Sequence, residues 1–207
     1  ESDVLQTVKQ VIDDIQAHGD KGLKKYVKQF DGEVPDTWEV SVQERKQAWE
    51  QVEDATINSL KKAASNIKKF HQKQLQNSRF MESEGDVISG QLFRAIERVG
   101  IYVPGGTASY PSSVLMNAIP AILAGVEEVI MVTPARNGEN IKPILSVAAD
   151  IAGVDKIYKI GGTQAIAALA YGTETIPAVD KIVGPGNAYV AAAKALVYGD
   201  VGIEVPE

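Results

Sequence analysis

From residue 98 onward the chain alternates between two kinds of segment, and that rhythm constrains its fold more than any other feature. The short β-branched runs RVGIYV, EEVIMVT, DKIYKI, DKIVG and VGIEV are separated by SSVLMNAIPAILAGV, ENIKPILSVAADIAGV, TQAIAALAYGT and NAYVAAAKALVYG. Strands that alternate with helices of roughly 10 to 15 residues predict right-handed βαβ units, a mostly parallel sheet of about five strands, and helices on both of its faces. The expected class is α/β, with residues 98–207 forming a Rossmann-like domain. Pro120 and Pro143 fall inside or at the start of the predicted helices, where a kink or a late start is expected.

Residues 1–97 behave differently. Thirteen of the 18 glycines lie after residue 97, whereas charged side chains concentrate before it. Leu5, Val8, Ile12 and Ile15 recur at helical spacing up to HGD, where Gly19 suits the turn and Asp20 a new helix start. The next helix is expected to bury Leu23, Tyr26 or Val27, and Phe30, and to stop at Asp31-Gly32. After an extended piece at WEV, Ser41 and Glu44 have the spacing of a capping box that opens a long helix. Trp49, Val52, Leu60, Ala63, Ile67 and Phe70 give that helix its apolar stripe, with a break near Asp54. His71 would then place a polar tip near the helix C-terminus. Residues 1–97 therefore read as a mostly helical region.

Composition excludes several function classes. The formal net charge is −6 and no basic stripe interleaves with aromatics, so the electrostatic footprint of a nucleic-acid binder is missing. Apolar runs are interrupted well before the ~18 residues that a membrane span needs. Cysteine is absent, which removes disulfides and thiolate chemistry and suits the reducing cytoplasm. The start, ESDVLQTVKQ, carries neither an initiator Met nor the pattern of a signal peptide and reads as trimmed. His18 and His71 are the only histidines, too few for an all-nitrogen metal site.

Ligands of an open parallel sheet gather beyond the carboxyl ends of its strands. Three of those ends are glycine-rich: PGGTASYPSS from Pro104, GGTQ from Gly161 and GPGN from Gly184. Glycine allows close backbone approach, and each loop feeds a helix whose first N–H groups lack partners. Tight turns explain any one loop, but three on one rim predict a cleft. Near it, Tyr102 can bring its hydroxyl from the strand end. Gln164 follows Thr163, a natural N-cap, and its amide is expected to project from the first helical turn into the cleft. Asn187 suits either an N-cap or a ligand contact. The usual nucleotide signatures fail: GPGNAY puts Tyr189 where glycine or alanine should pack, VTPARNG carries no ribose-binding acid, and no phosphate-loop motif occurs. Residue types alone give a small-molecule-binding α/β domain.

The segments RVGIYVPGGTASYPSSVLMNAIPAILAGVEEVIMVTP, GGTQAIAALAYGTETIPAVDKIVGPGN and AYVAAAKALV closely resemble histidinol dehydrogenase, and GDKGLKKYVKQFDG and AASNIKKFHQKQ are similar to that family's helical N-terminal region. The resemblance implies a homodimeric, zinc- and NAD-dependent enzyme of histidine biosynthesis that oxidises L-histidinol twice, through an aldehyde, to L-histidine. It implies that Tyr102, Gln164 and Asn187 match positions contacting NAD. Family members are about twice as long, and this chain stops at GIEVPE, so the resemblance implies that the zinc ligands and catalytic residues lie outside it and that further C-terminal sequence completes the domain to which residues 1–97 belong. On its own it is expected to lack turnover. Two other readings remain open: a paralogous NAD-dependent dehydrogenase acting on another small alcohol, and a binding module without catalysis.

Overall fold

The computed structural model describes residues 2–84, 96–105 and 111–204, with the side chains of 78–84 left aside. Four helices come first: α1 (Ser2–His18), α2 (Asp20–Asp31), α3 (Val42–Glu50) and α4 (Asp54–Glu84). Strands and helices then alternate as β1 (Arg98–Tyr102), α5 (Pro111–Leu123), β2 (Glu128–Val132), α6 (Pro143–Ala152), β3 (Lys156–Tyr158), α7 (Gly162–Tyr171), β4 (Lys181–Val183), α8 (Ala188–Val197) and β5 (Gly202–Ile203). All four strand pairings are parallel and the order is β3-β2-β1-β4-β5. The α/β reading and the count of five strands therefore hold.

Alternation along the strands separates two hydrophobic cores. Val99, Ile101, Val129 and Met131 face α3, α4, α5 and α6, where they join Ala48, Leu60, Val114, Leu115 and Leu145. Tyr102, Ile130 and Val132 face the other way, against Val8, Ile15, Leu23 and Val27 of α1 and α2 and Ile166 and Leu169 of α7. Gly100 lies on this second face because Leu169 and Val179 press so close that a Cβ there would sit 3.0 Å from Leu169 Cδ1. Each core thus combines helices from before and after Arg98. Composition changes at that residue, but packing does not divide there.

The WEV segment does more than extend. Val40 N–H donates to Ile157 O and Lys159 N–H to Trp38 O, each at 2.7 Å, so residues 38–40 run antiparallel along the free edge of β3. Covering that edge removes a template for pairing with another chain. Immediately afterwards, Ser41 Oγ accepts the Glu44 N–H at 3.0 Å, which caps α3. Only half of the expected capping box forms. Glu44 instead turns to the sheet, pairing with Lys159 Nζ at 2.6 Å and accepting the Ile141 N–H at 3.2 Å.

Several periodicity-based expectations shift with tertiary context. Gly19 turns the chain between α1 and α2 at φ +57°, and α3 and α4 separate just before Asp54. Pro143 starts α6, while Pro120 lies inside α5. Leu5, Phe30 and Phe70 are exposed rather than buried. Phe30 sits at the rim of α2, where it stacks on Tyr26 with ring centroids 5.9 Å apart and leaves its outer face uncovered. His71 is not at a helix end either, because α4 continues to Glu84.

Candidate functional site

The order β3-β2-β1-β4-β5 reverses direction between β1 and β4, since the chain moves outward to one side through β2 and β3 and then returns to the other. Loops diverge at such a point and leave a crevice beyond the carboxyl ends of the strands. A cavity of about 510 Å³ lies there. It is lined by Tyr102, Pro104 and Gly105 after β1, by Pro134, Ala135 and Arg136 after β2, by Gly161 and Gly162 after β3, and by Asn187 after β4. The three glycine-rich corners expected to share a rim do so. Residues 106–110 of the first corner lie outside the described residues.

The glycines have local reasons for being there. A Cβ on Gly105 would come within 2.5 Å of Pro134 Cγ, and one on Gly161 within 2.6 Å of Pro134 Cβ. Pro134 therefore occupies the space that both omitted side chains leave, and the three loops close around it. Gly184 adopts φ +111°, with its would-be Cβ only 2.2 Å from Tyr102 O. Glycine is needed at that corner for backbone conformation as well as space.

Tyr102 is 4% exposed, and its hydroxyl accepts the Gly162 N–H at 2.9 Å. Burial raises the Tyr102 phenol above its ordinary value; the Gly162 contact opposes the rise and the nearby Asp31 charge adds to it. The phenol stays protonated at neutral pH and retains a proton to donate. Asn187 is the N-cap of α8: its Oδ1 accepts the Val190 N–H at 3.0 Å, which leaves the amide NH2 to donate to a ligand. Both capping and cavity-lining roles fall to this one side chain.

Gln164 differs from expectation. Thr163 is not the N-cap of α7; Gly161 takes that position without a side-chain cap, and Gly162 enters the helix at φ +68°. Gln164 is 2% exposed and does not project openly into the cleft. Its Nε2 donates to Asp31 Oδ2 at 3.2 Å. Asp31, the last residue of α2, reaches across from the N-terminal helices, covers Gln164 and itself lines the cavity. Burial raises the Asp31 carboxyl above its ordinary value, opposed by the Gln164 hydrogen bond and the charge of Arg136.

Residue pattern alone did not single out Asp31, Arg136, Glu139 or Lys142 as cavity residues. The Asp31-Gly32 pair reads as a helix stop, and Gly32 at φ +95° confirms that role. Arg136 belongs to a 3-10 turn in which Asn137 adopts φ 53°. No group of three or more His, Cys, Asp or Glu among the described residues is placed to hold a metal ion. His18 ends α1, His71 lies within α4, and neither lines the cavity. No helix among the described residues is long and apolar enough to cross a membrane.

Comparison with known proteins places this architecture. The family model for histidinol dehydrogenase matches residues 1–207. The histidinol dehydrogenase of Clostridium acetobutylicum is 52% identical over 204 residues, a match that takes in 99% of this chain and 47% of the relative. That of Geobacter sulfurreducens is 50% identical over 206 residues, covering 98% of this chain and 48% of the relative. The crystal structure of histidinol dehydrogenase from Elizabethkingia anophelis superposes with a TM-score of 0.84 at 38% identity, covering 98% of this chain and 47% of that one. The chain thus spans about half the length of the relatives it matches.

Proposed function

The chain belongs to the histidinol dehydrogenase family, and we propose that it forms the cofactor-holding part of an enzyme that oxidises L-histidinol to L-histidine with NAD in histidine biosynthesis. The observation that carries this reading is the crevice at the strand-order reversal, where Tyr102, Gly162, Asn187 and Asp31 meet from four separate elements. A cavity of that size falls within the range of small-molecule and cofactor sites. Its polar groups suit a dinucleotide. Tyr102 and Asn187 line the cavity and each carries a donor, a phenol O–H and an amide NH2, while Arg136 supplies positive charge.

When bound, NAD would accept hydride from the substrate. The residues of this chain would hold and orient it. Tyr102 stays protonated as a donor while its oxygen fixes the Gly161-Gly162 corner, and Asn187 offers its amide NH2 because its oxygen is committed to the α8 cap. Gln164 contributes from beneath the surface by holding Asp31. Zinc has no matching ligand set among the described residues, so the metal used by the family would be held by other residues. The same reading makes the assembled protein a homodimer in the cytoplasm, in keeping with a sequence that has no cysteine.

Equilibrium titration of the 207-residue chain with NADH, followed by coenzyme fluorescence, tests the assignment. Saturable binding that weakens in Asn187→Ala and Gln164→Ala is expected. Unchanged affinity in both variants, or no binding by the parent, sinks it. With histidinol and NAD supplied, the chain alone should form no NADH, since neither histidine approaches the crevice.

A further inference from the structure

We propose that Asp31 is the ribose-reading acid of the cofactor crevice and sets its preference for NAD over the 2′-phosphorylated coenzyme, an inference that rests on the cofactor assignment above. In dinucleotide-binding folds an acid at the end of the second strand accepts hydrogen bonds from the adenosine ribose, and its charge disfavours a 2′-phosphate. The second strand here runs into Thr133, Pro134, Ala135 and Arg136 and carries no acid at that place. The acid comes from the other half of the chain instead. Asp31 ends α2 and lines the same cavity as Pro134, Ala135 and Arg136.

Its two oxygens have different employment. Oδ2 accepts Gln164 Nε2 at 3.2 Å, and because a carboxylate can only accept, that contact fixes the amide with its NH2 toward Asp31. Oδ1 accepts no hydrogen bond among the described residues and remains available to a hydroxyl in the cavity. Neighbouring groups bear on the same point: Asp31 raises the phenol of Tyr102, and the Arg136 charge acts on Asp31. Gly32 anchors this end of α2 against the second-strand loop, since a Cβ on it would lie 2.3 Å from Asn137 Oδ1. Gln164 is accordingly a positioning residue, and Asp31 the group that touches the cofactor.

The test compares NADH with NADPH on the 207-residue chain. The parent should bind NADH roughly tenfold or more tightly than NADPH, the discrimination a charge-assisted hydrogen bond supplies. Asp31→Asn should bring the ratio close to one, mainly by improving NADPH, and Asp31→Glu should restore part of it. Circular dichroism and melting midpoints verify folding, and a general loss of structure would weaken both ligands without changing their ratio. A measurement without substitution gives a second criterion: the Asp31 carboxyl 13C resonance of the parent should shift on adding NADH. Failure of the parent to bind either coenzyme would count against the cofactor assignment itself. Binding of NADH with an unchanged ratio in Asp31→Asn, or with an unmoved Asp31 resonance, overturns only the role of Asp31.

Discussion

The hydroxyl oxygen of Tyr102 accepts the N–H of Gly162 at 2.9 Å, tying the end of β1 to the first turn of α7, which follows a strand two places away in the sheet. A helix N-terminus in such a crevice ordinarily offers its free N–H groups to a phosphate. Here one of them is already used by a side chain. That N–H is therefore not free for a phosphate unless the Tyr102 hydroxyl gives it up.

Removing the tyrosine oxygen should show as lost order at the α7 corner. Tyr102→Phe keeps the ring in its core but leaves the Gly162 N–H without an acceptor, a loss of about 1–2 kcal/mol. Urea denaturation should report that loss, and NADH affinity should fall roughly fivefold as the corner loosens. Unchanged values for both would mean that water replaces the hydroxyl without consequence.

Gly184 makes a sharper backbone prediction. At φ +111°, with Tyr102 O where a Cβ would stand, Gly184→Ala forces the β4–α8 corner to move. The cost is about 3 kcal/mol or more. The corner is further held by Glu204, which accepts the Gly184 N–H at 3.0 Å, and by Lys194, which pairs with Glu204 at 2.7 Å and donates to Gly184 O. Lys194→Met should therefore lower stability less than Gly184→Ala does, as read from their urea midpoints, because it leaves backbone conformation alone.

How much of this was legible depends on where the cause of each feature resides. The four helices and five strands after Arg98 follow from local periodicity, and the convergence of their glycine-rich ends follows from parallel topology. Asn187 was readable as a cap for the same local reason. The orientation of Gln164 was not, because it is decided by Asp31, 133 residues away in sequence. Phe30 and Phe70 obey helical spacing and are nonetheless exposed, since spacing marks a face without stating whether anything covers it. The half-formed capping box has a similar origin: Glu44 finds Lys159 and the Ile141 N–H, and these tertiary partners replace the local one.

Besides Glu44, a carboxylate from α6, that of Asp150, attaches α3 to the sheet domain. Asp150 Oδ1 accepts Arg45 Nε at 2.8 Å and pairs with Nη2 at 2.5 Å, while its Oδ2 accepts Trp49 Nε1 at 2.8 Å. Arg45 also donates to Val154 O and Asp155 O. With the two charged side chains 17% and 24% exposed, Asp150→Ala leaves the Arg45 guanidinium with its two carbonyl acceptors but no counterion, and the Trp49 indole N–H without its acceptor. A destabilisation of about 2–4 kcal/mol is expected in urea. Asp150→Asn should cost less, because it keeps an acceptor for one of the two donors.

A pH prediction follows from Tyr26 and Asp14, on adjoining helices. The Tyr26 hydroxyl donates to Asp14 Oδ2, and this hydrogen bond, helped by Lys25, holds the Asp14 carboxyl below its ordinary 3.8. Burial first, then the same hydrogen bond, pushes the Tyr26 phenol up to about 12. The signs are opposite in consequence. Asp14 favours the folded state above the carboxyl value of the unfolded chain, and that contribution disappears as pH falls through its lowered folded value. Tyr26 favours folding below the ordinary phenol value of 10.0 and loses its contribution as pH rises toward about 12. Tyr26→Phe should move the Asp14 carboxyl upward in a 13C NMR titration, lower the melting midpoint near neutral pH, and reduce both the acid and the alkaline loss. An Asp14 titration identical in parent and variant would show that Lys25, not the phenol, sets its value.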